Sequence, residues 1–349
     1  KGERINAGFL KESEQPEKKE GISVWIRGNL FIPDARKFWI KPSIRFLKEY
    51  LKKNPVEAII STGPPHSMHL IALELKRQLG LPWIADFRDP WTEIDFYDQL
   101  RLSKRSDRKH KSQEQSVLKE ANRVVVIGNH MAERFKAIAG VESVVIPNGY
   151  DEADFKKTAP RTGSEFSIVH VGALNADRNH PVFWKVIAEL INKEPELSSQ
   201  LKVRLVGKTD LSVQQHIAQY GLEDRVELEP YLPHDQIIPL LQTAGILYLS
   251  INNTPNARAI RTGKLFEYLA ARRPILGIGP EDGDAAEVIR ECKAGEMVDF
   301  EDEARLTKVL LEWLKLHQEG ALQNLETKTN AYSRKGLTAQ YSAMLDEIS

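Results

Sequence analysis

The chain holds a single cysteine, Cys292, in 349 residues. That excludes an intrachain disulfide and any cysteine cluster for zinc. The nine histidines never fall in an H-E-x-x-H or similar ligand spacing, so no metal and no cofactor are expected. No apolar run approaches a membrane span, and no secretory signal is read ahead of the first folded segment. There is no short repeat and no low-complexity tract. Net charge is lacking too, with 49 Lys and Arg against 49 Asp and Glu. The balance is uneven along the chain. Residues 1–150 carry 26 basic and 19 acidic side chains, and the remainder carries 23 and 30. A basic half beside an acidic half directs the first half toward an anionic surface or substrate. Nucleic acid is not the expected partner, because the acidic half offsets the basic one and no recognised binding module is present.

What is present describes a soluble globular chain of two ordinary domains, with 41% hydrophobic and 28% charged residues. Cytoplasm is the expected compartment. The first residues, 1–20, are highly charged and read as a disordered tail or linker remnant. The chain opens at Lys1 and reads as a fragment of something longer. From about residue 56 short apolar runs alternate with helical patterns. Strands are expected at 58–60, 83–85, 123–127 and 144–146, with helices near 66–79, 104–120 and 131–138. After a polar gap at 156–165 the rhythm restarts. Strands are expected at 167–171, 203–206, 226–228, 246–249 and 275–278, with helices near 182–192, 212–219, 235–242 and 264–271. Further helices are expected near 303–317 and 338–347. Alternation of this kind implies α/β architecture with parallel sheets covered on both faces. The expected domains are 21–155 and 156–330, with 331–349 a terminal helix returning to the first domain. Two such domains facing a cleft bind ligands at the carboxyl ends of their strands.

Residues 259–274, A-I-R-T-G-K-L-F-E-Y-L-A-A-R-R-P, carry the most information. A polar turn through Thr262, Gly263 and Lys264 enters a short helix, and Arg272-Arg273-Pro274 ends it. A helix start offers free N–H groups and partial positive charge to an anion, and Lys264 adds a full charge. Glu267, one turn on, can accept paired hydrogen bonds from vicinal hydroxyls. A phosphate site beside a diol acceptor suggests a nucleotide or nucleotide-sugar. A P-loop is excluded, because Arg258 and Leu265 stand where that motif needs Gly and Ser or Thr. An ordinary turn and helix with a solvated Glu267 fits the same residues.

Four other stretches follow strands. Ser61–Ser67 contains a stiff Gly-Pro-Pro turn, with His66 and Ser67 placed to cap the next helix and reach a cleft; a rigid loop with a capping serine is the alternative. Trp83–Trp91 delivers Asp86, Arg88 and Asp89 beside tryptophans. That suits sugar hydroxyls, or an internal ion pair holding a loop. Asn148-Gly149 is a turn signal, where Asn148 either lines a cleft or marks a hinge. His170–Asn179 sets Gly172 after a strand and Arg178 in the following loop. Its guanidinium could fork onto a pyrophosphate, or lie on the surface. Residues 36–53 interleave seven cations with Phe38, Trp39, Ile40, Ile44, Leu47 and Leu51, and a second basic run spans 101–111. Such segments suit an anionic membrane, or a core-packed helix with a solvated cationic face. A peripheral place at the inner membrane face would follow from the first reading.

Taken in order, Ser61–Ser67, Asp86–Trp91, Ile146–Gly149, His170–Arg178 and Thr262–Pro274 resemble group 1 glycosyltransferases. These are the retaining GT-B family 4 type, and the bacterial surface-polysaccharide and lipopolysaccharide enzymes are the nearest in pattern. The resemblance implies two Rossmann-like doubly wound domains facing a cleft, with a nucleotide-sugar donor held mainly by the second. It implies transfer of a sugar to an acceptor hydroxyl, on a saccharide or lipid-linked acceptor, with retention. Glu267 matches the family's ribose-binding carboxylate. Its usual partner, eight positions earlier, is replaced by Ala259. The Arg that often follows the family's glycine is Ala173 here, so Arg178 with Lys264 would hold the diphosphate. Gly263 and Thr262 would add donor contacts, and Tyr231 and Leu232 would flank the base unless they form a plain strand-to-helix loop. Asp89 would orient or deprotonate the acceptor. The family's opening strand, glycine-rich loop and helix are not found before Gly21, so the first domain is expected to be incomplete. Two alternatives are a nucleotide-sugar 2-epimerase of the same architecture and a non-catalytic nucleotide-sugar-binding module.

Overall fold

The computed structural model describes residues 18–94, 96–156, 165–322 and 329–348. The expected charged tail up to residue 17 and most of the polar gap, 157–164, lie outside the described residues. The elements run in the order α1 (Lys18–Leu30), α2 (Ile40–Lys53), β1 (Ile59–Gly63), α3 (Ser67–Leu79), β2 (Trp83–Phe87), α4 (Lys104–Glu120), β3 (Arg123–Val126), α5 (Asn129–Ala139) and β4 (Val144–Val145). Then follow β5 (Phe166–Val171), α6 (Pro181–Lys193), β6 (Leu201–Val206), α7 (Leu211–Gln219), β7 (Val226–Glu229), α8 (His234–Thr243) and β8 (Ile246–Ser250). The chain closes with α9 (Gly263–Ala271), β9 (Ile275–Ile278), α10 (Asp284–Glu291), β10 (Gly295–Val298), α11 (Glu303–Gln318) and α12 (Arg334–Ile348). Among the described residues two compact units form. One takes in the chain up to Val125 with Phe135–Glu142, and the other takes in Val126–Arg134 with Ser143–Ile348. Each is α/β and Rossmann-like.

The first sheet has the order β1-β2-β3-β4, with β1 and β2 parallel. Every residue of β2 is buried, which is why Trp-Ile-Ala-Asp-Phe reads as an almost unbroken apolar run. The expected turn at Thr62-Gly63 is instead the last part of β1, with Gly63 paired to Phe87. Neither His66 nor Ser67 caps α3 with its side chain. His66 has helical backbone angles and makes no cap bond. The Ser67 N–H instead donates to Asp34 Oδ2 at 2.8 Å, so a carboxylate 33 residues upstream caps the helix.

The second sheet has the order β10-β9-β8-β5-β6-β7, all parallel. Read from its first strand, this is the doubly wound order in which the chain reverses direction between β5 and β8. Alternate strand residues feed two cores. Ile168, Leu205, Tyr248 and Leu276 face one side with α6 and α11. Val169, Val206, Leu247 and Ile275 face the other with α9 and α10. The reversal opens a crevice outside the carboxyl ends of β5 and β8, the position at which such sheets bind ligands. In the same unit, Tyr150 exchanges backbone hydrogen bonds with Tyr332 and Arg334, which ties in the start of α12.

Candidate functional site

β5 ends in Gly172, whose φ of +104° suits glycine, and an added Cβ would stand 3.1 Å from Lys264 Nζ. Gly207, after β6, has φ +125° and lies so close that its own Cβ would meet the Gly172 carbonyl oxygen at 2.8 Å. Two glycines thus make a flat backbone floor outside the strand ends. The loop after Gly172 is pinned to the loop after β8. Arg178 Nε donates to Asn252 Oδ1 at 2.6 Å, and the Ser250 hydroxyl donates to the Arg178 carbonyl at 2.5 Å. The Asn253 N–H donates to the Asp177 carbonyl at 2.8 Å. Arg178 is therefore a half-buried, anchored side chain rather than a surface arginine.

α9 supplies the opposite wall. Leu265, Phe266, Tyr268 and Leu269 bury one face of it. Lys264 and Glu267, three residues apart, share the other face. The helix ends because Arg272 takes a left-handed conformation and Pro274 follows. Tyr268 seals the base of the site, accepting from the Val171 N–H at 3.0 Å. At the helix start Thr262 takes the cap position without making a side-chain cap, and its Oγ1 is buried with no hydrogen-bond partner. Asn175 Oδ1, in the loop after Gly172, is a second buried atom without a partner. Each such atom costs about 1–3 kcal/mol until something pairs with it.

The electrostatics are those of a site awaiting an anion. Burial first and the nearby Arg178 guanidinium second lower the Lys264 ammonium to about pKa 7, with Glu267 partly opposing both. Two cations are held where they repel each other, with Glu267 offsetting part of that repulsion, and an anionic ligand would relieve more of it. Glu267 is half-buried, with His234 Nε2 3.6 Å from its Oε1. Tyr231 is almost fully exposed and Leu232 partly so, in the loop leading into α8. Ala259 ends a short 3₁₀ turn and brings no carboxylate.

The structure thus gathers Gly172, Arg178, Thr262, Gly263, Lys264 and Glu267 at one switch point. Tyr231, Leu232 and Asn148 lie in loops of the same unit, and His66, Ser67, Asp86, Arg88 and Asp89 belong to the first unit. His66 is buried, stacked on Trp91 with ring centres 4.8 Å apart, and desolvation lowers it to about pKa 3. The side chains of Asp86 and Arg88 form an internal ion pair of 2.9 Å, and Thr62 Oγ1 also donates to Asp86 Oδ2. Asp89 is exposed in the bend after β2, and Asn148 is half-buried after β4. His170, Asn175, His234 and Asn252 are not singled out as site residues by the sequence reading. A histidine inside the apolar run of β5 and two asparagines directly after β8 are the signals that point to His170 and Asn252.

Two Rossmann-like units, one of them carrying a doubly wound sheet, fit the GT-B fold. The profile described as “Glycosyl transferases group 1” matches residues 151–335, and “Glycosyltransferase Family 4” matches residues 9–154. The chain belongs to the group 1 glycosyltransferases and is a transferase of that type; neither match favours an epimerase. No curated protein matches it significantly in sequence. Among solved structures it is similar to sucrose-phosphate synthase from Thermosynechococcus elongatus. The TM-score is 0.62 at 14% identity, over 90% of this chain and 79% of that one. It is also similar to an S. aureus TarM mutant in complex with Fondaparinux, α-GlcNAc-glycerol and UDP. There the TM-score is 0.60 at 14% identity, over 87% of this chain, which spans 59% of TarM. A third is WaaG, a glycosyltransferase involved in lipopolysaccharide biosynthesis, with TM-score 0.56 and 14% identity over 87% of this chain and 81% of WaaG. Among the described residues no helix is long and apolar enough to cross a membrane.

Proposed function

We propose that the switch point binds the diphosphate of a nucleotide-sugar and that the protein passes the sugar, with retention, to an acceptor hydroxyl. One observation supports this above the others. Lys264 and Arg178 converge on the glycine floor beside the unpartnered Thr262 hydroxyl. As the glycosidic bond breaks, negative charge grows on the departing diphosphate. Fixed cations and the N–H groups of Gly263 and Lys264 stabilise that charge, with no metal invoked. Glu267 takes the ribose diol, and Tyr231 and Leu232 flank the base. Asp89 orients the acceptor. The test is a thermal-shift panel of UDP-, GDP-, ADP- and TDP-sugars on the wild type and on Glu267→Ala. At 100 times Kd, a binding donor stabilises the native state by about 2.7 kcal/mol and raises Tm by several degrees. Glu267→Ala should lose most of that rise, and a panel with no shift at all removes the donor reading.

The acceptor in this reading is a saccharide or lipid-linked glycan of cell-surface polysaccharide synthesis, met at an anionic bilayer. The support is in the first unit. No residue of α2 is buried, and Phe38, Trp39, Phe46 and Tyr50 all stand exposed. Exposed Arg36, Lys41, Arg45, Lys52 and Lys53 surround them, and Arg36 lies over the Trp39 ring. Arg101, Lys104, Arg105, Arg108, Lys109 and Lys111 are exposed as well. Aromatics with cations suit an interface carrying anionic headgroups. Phosphatidylglycerol vesicles should therefore co-sediment the protein at low salt, with release by salt. Trp39→Ala/Phe46→Ala should weaken this about tenfold, since each side chain buries roughly 1.5–3 kcal/mol of apolar surface at most. Equal sedimentation with neutral vesicles counts against the docking surface.

A further inference from the structure

Three groups face the Lys264 ammonium: His170 on β5, Arg178 in the loop after it, and Glu267 on the same face of α9. His234, at the start of α8, is the next titratable group out, against Glu267. The donor reading gives His170 no role, yet its surroundings are highly specific. It is fully buried in an otherwise apolar stretch of strand. Its Nδ1 lies 3.0 Å from the carbonyl oxygen of Tyr248 on β8. A carbonyl only accepts, so the proton on Nδ1 goes to Tyr248 and the Nε2 lone pair faces the lysine, with the Ala173 carbonyl a second backbone acceptor beside the ring. Lys264 Nζ stands 3.2 Å from that Nε2. The pairing of β5 with β8 across the switch point therefore selects the tautomer that can accept from the lysine. Burial, reinforced by the charge of Lys264, holds the imidazole neutral far below its usual range.

We propose that His170 is a positioning residue for diphosphate recognition, accepting a hydrogen bond from Lys264 and aiming its ammonium over the Gly172 floor. The inference rests on the donor-site reading above. Lysine is a point charge on a flexible four-carbon stem, and Glu267 lies within reach on its own helix face. An unheld ammonium would swing to that carboxylate and cancel both donor-binding charges. His170 holds the lysine with an uncharged acceptor, so the full positive charge stays available to a ligand. A carboxylate at position 170 would hold it equally well and neutralise it. Gly172 keeps the neighbouring space open, since a Cβ there would press on Nζ.

The test uses the full chain and inorganic pyrophosphate as the probe, by calorimetry at pH 6.5. His170→Leu and His170→Asn remove the acceptor facing Lys264, and each should weaken binding about tenfold, the worth of one hydrogen bond to a charged group. His170→Gln places an amide oxygen near the Nε2 position and should recover most of the loss. Nitrogen-15 spectra of the wild type should show His170 protonated at Nδ1 and bare at Nε2 from pH 5 to 8. Unchanged binding in both His170→Leu and His170→Asn, or an Nε2–H tautomer, overturns the proposal. If His170→Leu does not fold, His170→Asn decides alone. Should Lys264→Ala weaken binding while the position 170 variants do not, the donor site stands and the role of His170 falls. Should the wild type or Lys264→Ala show that Lys264 has no part in binding pyrophosphate, the donor reading fails and takes this one with it.

Discussion

Replacing Lys264 by alanine should lower kcat/KM by about 10²- to 10³-fold, or roughly 3–4 kcal/mol of transition-state stabilisation. Lys264 brings an ammonium to the first turn of α9, and it is aimed across the Gly172 floor by His170. Its charge does most when the sugar–phosphate bond is breaking, because only then does the diphosphate gain the extra negative charge. The loss should therefore fall on kcat as well as on KM. Stability should barely move. Removing the side chain also removes the desolvation of the ammonium and its repulsion with Arg178. Lys264→Arg is not a conservative repair, since a planar guanidinium fork replaces a compact ammonium that sits 3.2 Å from His170 Nε2. Steady-state rates with the donor chosen by the thermal-shift panel, beside the Tm of each variant, check the prediction. A Lys264→Ala enzyme within threefold of wild type refutes the placement of the cation.

Much of this site is legible in the sequence because its elements are locally encoded. The start of α9 is marked by Thr262-Gly263, and its stop by Arg272 and Pro274. The strands β5, β8 and β9 are buried on both faces and read as largely apolar runs. Other features depend on partners remote in the chain. Asp34 caps α3 at Ser67, and no local pattern announces it. The role of His170 depends on the β5–β8 pairing that brings Tyr248 beside it. Other features are hidden by composition. α1 starts inside the charged stretch that reads as tail and contains Gly28, so no helix is expected there. β10 is a four-residue edge strand with Glu296 in it, and α10 is only two turns long. The exposed aromatic face of α2 belongs to a third class. Its apolar spacing fits a packed helix equally well, and only burial tells the two apart.

Donor affinity should fall as pH rises through neutrality, by up to about tenfold per pH unit. The free protein holds Lys264 near pKa 7, through burial first and Arg178 second, with Glu267 opposing. A bound diphosphate favours the charged ammonium and raises that pKa. Linkage then fixes the sign. Below about pH 7 the lysine is charged in both states, and affinity is at its full value. Above it the free protein has lost a proton that the complex must regain, so binding takes up a proton and weakens until the pKa of the complex is passed. His170 adds nothing in this range, because it remains neutral throughout. The experiment is best done with an intact nucleotide-sugar, whose phosphate diesters do not titrate near neutrality, so that the slope belongs to the protein. Kd measured from pH 6 to 9 should bend near 7, and calorimetry in buffers of different ionisation enthalpy should show proton uptake at pH 8. Lys264→Met should bind weakly with a flat profile over the same span. A flat profile in the wild type would mean that the ammonium stays charged with or without ligand. The repulsion from Arg178 would then be met by Glu267 within the protein, and the site would not be waiting for an anion at all.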